Sequence, residues 1–352
     1  MSARRKRWDL HPPAPPDLAR QLGVSTLLAD LLSQRGYGDP DAVRAFLAAD
    51  YRTGLHDPLL MRGMAQARDR IAAAIEAGEP MAVYGDFDTD GVTAVTLLVQ
   101  AISAMGGTIR PYIPHRVREG YGLNSQAVRQ LAADGVRLLI TVDCGISNAA
   151  EVAEAAALGI DVIVTDHHQP PATMPQALAV VNPKQEGCPY PYKQLVGVGI
   201  AFKLVQALWK YGLKPGNLRA RDLLDVVALG TVADMGPLTG ENRVLVKAGL
   251  EAINSSSRPG LKALIEVAGL VQGKITSADI SYMLAPRLNA AGRLDDAVLA
   301  YRLLLAEDAA AAGAHAAALN QANRERQELT RRVQERAREL AAATGKQERP
   351  VV

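Results

Sequence analysis

The stretch from Met81 to Val99, MAVYGDFDTDGVTAVTLLV, constrains the fold more than any other part of the chain. An apolar run, Met81 to Tyr84, meets a turn carrying carboxylates at Asp86, Asp88 and Asp90. Gly91 follows, and then an apolar segment compatible with a helix. A strand that stops at acids and restarts as a helix places those acids at the carboxyl edge of a sheet, where open α/β folds hold their ligands. Asp86 and Asp88 share one face if the extended geometry persists. Like charges held together cost energy unless a cation joins them. The plain alternative is a turn in which Thr89 or Asp90 caps the following helix.

The pattern then repeats. Ile109 to Ile113 reads as a strand. Arg137 to Val142 is a continuous apolar strand stopping at Asp143-Cys144-Gly145, and Asp161 to Thr165 stops at Asp166-His167-His168. Helices are expected between them, through Gln100 to Met105, from Asn124 as cap to about Ala133, and from Ala149 to Leu158. Fully apolar strands alternating with helices imply an α/β fold, a parallel sheet with helices on both faces. The acids and imidazoles would then converge on one edge.

Before this core, Leu18 to Ile75 has helical spacing, with Gly36, Gly38 and Pro40 as separators, Asp39 or Asp41 as a cap, and a last helix from Met64 to Ala77. The first 17 residues are polar and Pro-rich and read as a surface arm. After the core, Pro170 to Gln194 reads as a loop. Gly197-Val198-Gly199 opens a helix to Tyr211, whose free N–H groups can receive an anion or whose glycines allow close packing. Helices from Leu218 to Val232, which leads to Asp234, and from Glu241 to Ile253 follow, then an exposed turn, SSSRPG. Arg287, Asn289 and Arg293, in APRLNAAGRLDD, are the residue types that grip phosphates. Leu299 to Ala343 reads as one long connector helix, whose glutamates among arginines suit a solvated, ion-paired surface.

At 352 residues the chain has ample length for a buried core. A net charge of +2 advertises no global nucleic-acid field, and three Phe with two Trp argue against a large base-stacking platform. Cys144 and Cys188 form no disulfide framework and suit a reducing compartment. The basic start lacks an apolar h-region, so no signal peptide is expected, and no segment has the length of apolar sequence a membrane helix needs. A cytoplasmic protein is expected.

Asp86, Asp88, Asp143, His167 and Asp234 supply four carboxylates and one imidazole, a donor set suited to Mn²⁺ or Mg²⁺. Two such ions about 3.5–4 Å apart clamp both oxygens of an in-line displacement at phosphorus. Asp143, between the other clusters in sequence, is the candidate bridging ligand. His168 would point away from His167 if both are extended, leaving it free to donate to a phosphate oxygen.

GDFDTDG, VDCG, TDHH and LGTVADM, in this order, resemble the four motifs of the DHH phosphoesterase superfamily. RVREGYGLN, GVGIAFKL, GENR and APRLNAAGR resemble more narrowly the RecJ family of single-strand-specific 5′→3′ DNA exonucleases. The resemblance implies metal ligation by Asp86, Asp88, Asp143, His167 and Asp234, contact of His168 with the scissile phosphate, and support of the histidines by Asp166. It implies two ions, Mn²⁺ or Mg²⁺, one held more weakly because Ala82 stands where the pyrophosphatase branch has a histidine. Arg116, Arg287, Asn289 and Arg293 are the expected phosphate or DNA contacts. Implied partners are single-stranded DNA, a single-strand-binding protein and a helicase, with no membrane. The implied activity is release of 5′-mononucleotides in DNA repair and recombination. The alternatives are a phosphodiesterase of short oligonucleotides or cyclic dinucleotides, and a non-catalytic DNA-binding scaffold.

The expected organisation is an N-terminal arm and helical region over 1–78, a DHH catalytic domain over 79–298, and a connector with the start of a second domain over 299–352. Family members continue into DHHA1 and OB-type domains, whereas this chain stops at Arg349-Pro350-Val351-Val352, so a shortened form is expected.

Overall fold

The computed structural model describes Asp9 and residues 11–210, 212–294 and 297–344, the side chains at 293 and 294 excepted. The terminal stub at 349–352 and Arg293's side chain lie outside the described residues. Two compact units are present, Met1–Leu55 and His56–Val352. In the first, helices Leu18–Leu22, Thr26–Gln34 and Pro40–Ala48 gather around Ala14, Leu18 and Ala29. Ser25 and Asp39 cap the second and third, their side chains accepting from the backbone N–H groups of Leu28 and Ala42.

The second unit is built on a parallel sheet, five-stranded among the described residues. Its strands are β1 (Met81–Gly85), β2 (Ile109–Tyr112), β3 (Leu138–Val142), β4 (Asp161–Thr165) and β5 (Ala179–Val181), in the order β2-β1-β3-β4-β5. β1 and β3 are buried along their whole length, as strands covered on both faces must be. Ala82, Tyr84, Leu139, Val162 and Val164 pack on helices Ser125–Ala133 and Ala149–Ala157. Helices Thr89–Ala104, Gly197–Lys210 and Met64–Glu76 pack against the sheet as well. Asn124 caps the Ser125 helix by accepting from Ala127 N–H.

Several elements differ from expectation. β5 lies inside the segment that reads as loop, too short and too close to prolines to show periodicity. The Leu218–Val232 helix begins only at Leu224, after a short 3₁₀ turn at Ala220–Asp222. SSSRPG is exposed only in part, at Ser255 and Ser257. Arg258 is largely buried, paired with Asp225 at 2.9 Å and donating to Leu304 O, and it precedes a further helix, Pro259–Val267. The single connector is two helices, Val298–Leu304 and Ala309–Ala343, because Asp308 caps the second by accepting from Ala311 N–H and so ends the first.

One buried ion pair ties the second unit together. Lys203 Nζ lies 2.6 Å from Glu241 Oε1, and the same carboxylate accepts from Tyr190 Oη at 2.6 Å and His56 N at 2.9 Å. No described helix is long and apolar enough to cross a membrane.

Candidate metal centre

The strand order reverses between β1 and β3, and open α/β sheets keep their ligand crevice at the carboxyl ends beside such a reversal. Asp86 follows β1 there, Asp143 follows β3, and Asp166-His167-His168 follow β4. Asp234 arrives from outside the sheet, at the C-cap of helix Leu224–Ala233. That helix end carries partial negative charge and so adds to the attraction for a cation.

These groups meet. His167 Nε2 lies 2.9 Å from Asp143 Oδ1 and 3.8 Å from Asp234 Oδ2. Ligand-type atoms of Asp86, Asp88 and Asp143 lie within 4.8 Å of one another, as do those of Asp143, His167 and His168, and those of Asp90, His167 and Asp234. Asp86 Oδ1, Asp143 Oδ1 and His167 Nε2 are buried without a hydrogen-bond partner. Unsatisfied buried polar atoms are costly, and three of them within overlapping clusters of ligand-type atoms fit cations they would ligate. Oxygen donors with an imidazole suit Mn²⁺ or Mg²⁺.

The protonation pattern has the same cause. Burial, and then the neighbouring Asp88, push Asp86 up to about 7. Burial and Asp88 likewise raise Asp234 to about 6. Burial, followed by repulsion from Asp90, puts Asp143 well above the usual carboxylate range. His167 is driven down to about 4 by burial and then by His168. Without a cation the cluster holds protons instead.

His168 behaves differently. Its Nδ1 is 2.7 Å from Asp166 Oδ1, and that contact raises its pKa against the opposing effect of burial. Burial pushes Asp166 up, but the hydrogen bonds and charge of His168 outweigh it and leave the carboxyl below its usual range. The other Asp166 oxygen accepts from Ile146 N at 3.0 Å, so this carboxylate fixes both the imidazole and the turn after β3. The two histidine rings do not point apart as the extended geometry predicts. Their centroids are 4.4 Å apart, separated by partner choice rather than direction.

The sequence offers Asp90 as a helix cap, but Asp88 is the cap, accepting from Gly91 N–H at 3.0 Å. Asp90 is buried and accepts from Gly197 N at 2.6 Å and Val198 N at 2.8 Å. The helix N-terminus expected to receive an external anion thus receives an internal one. Close packing is required as well. A Cβ at Gly197 would stand 2.6 Å from Asp143 Cβ and 2.9 Å from Asp90 Oδ2. Gly197→Ala is therefore expected to displace Asp143 and to destabilise the fold by about 1–3 kcal/mol. Mn²⁺ affinity should fall with it; calorimetric titration showing unchanged affinity would contradict this placement.

Of the expected phosphate contacts, exposed Arg116 stacks its guanidinium 4.8 Å from the Phe87 ring centroid, beside Asp86. Arg287 and Asn289 make hydrogen bonds within the chain. Arg287 donates to Asn320 Oδ1 and Met283 O, and Asn289 Oδ1 accepts from Thr89 N and Oγ1, both at 2.7 Å. Asn289 thereby anchors the start of the helix that carries Asp90.

The DHH family, N-terminal domain, matches residues 80–231. The single-stranded-DNA-specific exonuclease RecJ of Bacillus subtilis (strain 168) is 40% identical over 100% of this chain and 44% of its own length. A crystal structure of exonuclease RecJ bound to manganese superposes with a TM-score of 0.72 at 40% identity, covering 78% of this chain and 69% of that one. RecJ from Thermus thermophilus in complex with Mn²⁺ gives 0.78 at 34% identity, covering 92% and 46%. The chain spans about half the length of the curated relatives it matches. With the metal-type cluster at the sheet edge and this similarity across its whole length, the chain belongs to the RecJ family of DHH proteins.

Proposed function

We propose that this chain is the catalytic core of a metal-dependent exonuclease. It would hydrolyse the phosphodiester bonds of single-stranded DNA from the 5′ end and release 5′-mononucleotides. The observation that carries this reading is three ligand atoms buried at one sheet edge without a hydrogen bond, Asp86 Oδ1, Asp143 Oδ1 and His167 Nε2, the last two 2.9 Å apart. Asp86, Asp88, Asp143, His167 and Asp234 would hold two ions, Mn²⁺ or Mg²⁺, with Asp143 shared and one ion weaker. When bound, such ions supply Lewis-acid charge at phosphorus and activate water.

The chain's own groups do the rest. Asp166 occupies His168 Nδ1, so Nε2 is the ring nitrogen left to donate to a phosphate oxygen. The hydrogen bond to Asp166 favours the charged form of that donor. Arg116, braced on Phe87, offers a second cation at the rim. Burial of Asp143 and Asp86 keeps bulk water from competing for the charges. Single-strand-binding protein and a helicase are the proposed suppliers of strand, in the reducing cytoplasm that the two free cysteines suit.

The test is a 5′-labelled single strand, a duplex and a dinucleotide, each incubated after chelation and again with added Mn²⁺. Metal-restored mononucleotide release from the long single strand supports the reading. Preference for the dinucleotide supports a short-oligonucleotide phosphodiesterase, and no cleavage of any substrate supports a scaffold.

A pH dependence follows. Carboxyls with raised folded pKa values stabilise the metal-free fold at low pH and lose that contribution as pH rises, here through about 6 for Asp234 and about 7 for Asp86. His167, lowered to about 4, works in the opposite direction up to its ordinary value, so it offsets one of the two carboxyls and leaves a net fall that is complete at about 7. Mn²⁺ needs the deprotonated ligands, so the Tm rise it produces should be larger at pH ~8 than at pH ~5.5. Differential scanning fluorimetry showing a pH-independent rise would contradict this.

A further inference from the structure

Resting on the nuclease reading, we infer that Met235 positions the substrate by making an apolar, sequence-independent contact with a nucleobase at the metal centre. Met235 directly follows Asp234 and closes helix Leu224–Ala233. Met235 N–H donates to Val232 O at 3.2 Å, and Gly236 N–H donates to Thr231 O at 3.1 Å. This is the pair of bonds that ends a helix with a left-handed residue, a place that glycine ordinarily fills. Met235 has φ 56°, so a side chain stands where its backbone is strained.

Burial does not compensate that strain, because Met235 is 85% exposed. A left-handed residue with an apolar side chain held in solvent points to a function beyond the fold. The chemistry suits a nucleobase. A thioether chain is flexible and polarisable, and it packs against an aromatic face without regard to hydrogen-bond pattern. An enzyme that degrades a strand of any sequence needs contacts of that kind. Half-exposed Tyr121 lies edge-on to His168, ring centroids 6.0 Å apart, so a second apolar surface adjoins the cluster. The charges hold phosphate and the flanks hold bases.

The experiment compares Met235→Ala, which keeps the backbone strain, with Met235→Leu and Met235→Gly, using Mn²⁺ and 5′-phosphorylated single strands. Met235→Ala should raise KM about tenfold with a smaller change in kcat, and Met235→Leu should restore most of the loss. The gap between wild type and Met235→Ala should narrow on a strand whose 5′-terminal nucleotides are abasic. Met235→Gly should show the same KM defect with a Tm no lower than wild type, which separates base contact from folding. Equal KM for wild type and Met235→Ala overturns this inference and leaves the nuclease reading standing. A wild-type protein that leaves every strand intact with Mn²⁺ overturns both.

Discussion

Asp143→Asn is expected to lower strand hydrolysis by about a thousandfold or more, since it removes charge at the point where the ligands converge. Asp143 is held in a left-handed conformation, φ 59°, that swings its carboxylate from the end of β3 toward His167. The missing side chain of Gly197 leaves room for it there. The amide keeps the shape and removes the charge, so folding and metal binding should respond in opposite directions. Without metal, Asp143 is crowded by Asp90, Asp88, Asp166 and Asp86, and relief of that repulsion should leave Tm unchanged or higher. With Mn²⁺ the variant should lose the Tm rise seen in the wild type. Steady-state kinetics and paired melting curves check both halves. Activity within tenfold of wild type would remove Asp143 from the metal centre.

The largest expected loss of stability comes from Lys203→Met, well away from the acids. Lys203 and Glu241 are 0% and 1% exposed. Truncating the cation leaves a buried carboxylate with Tyr190 Oη and His56 N–H as its donors among the described residues, a change that typically costs about 3–5 kcal/mol. In a unit of this size that lowers Tm by roughly 10 °C, read by thermal melting. Replacing both partners by apolar residues should cost less than the single change, because no uncompensated charge remains. A single substitution that melts with the wild type would show that Glu241 takes up a proton at little cost.

What the sequence made legible follows from the range of the interactions. β1, β3 and β4 are apolar runs cut off by acids, and both signals are local. The meeting of Asp86, Asp143 and His167 was legible for the same reason, since strand ends of a parallel sheet share an edge. Asp90 was not, because the N–H groups that hold it belong to Gly197 and Val198, more than a hundred positions away. The only local hint was its place in a turn with more acids than a cap needs. Arg258 sits in a Ser-Pro-Gly setting that reads as surface, and only the fold brings Asp225 to it. Lys203 did leave a trace, a single cation inside GVGIAFKLVQAL, where a buried helix face has no place for an unpaired charge. Arg287 and Asn289 show the reverse case, a second role that the sequence did not reveal. Their residue types suggested phosphate contacts, while the fold gives them partners within the chain.

Anomalous diffraction from crystals soaked in Mn²⁺ tests the central claim most directly. Anomalous peaks are expected within coordination distance of Asp86, Asp143, His167 and Asp234, the strongest touching Asp143. Crystals that bind Mn²⁺ elsewhere, or show no peak at that sheet edge, would contradict it.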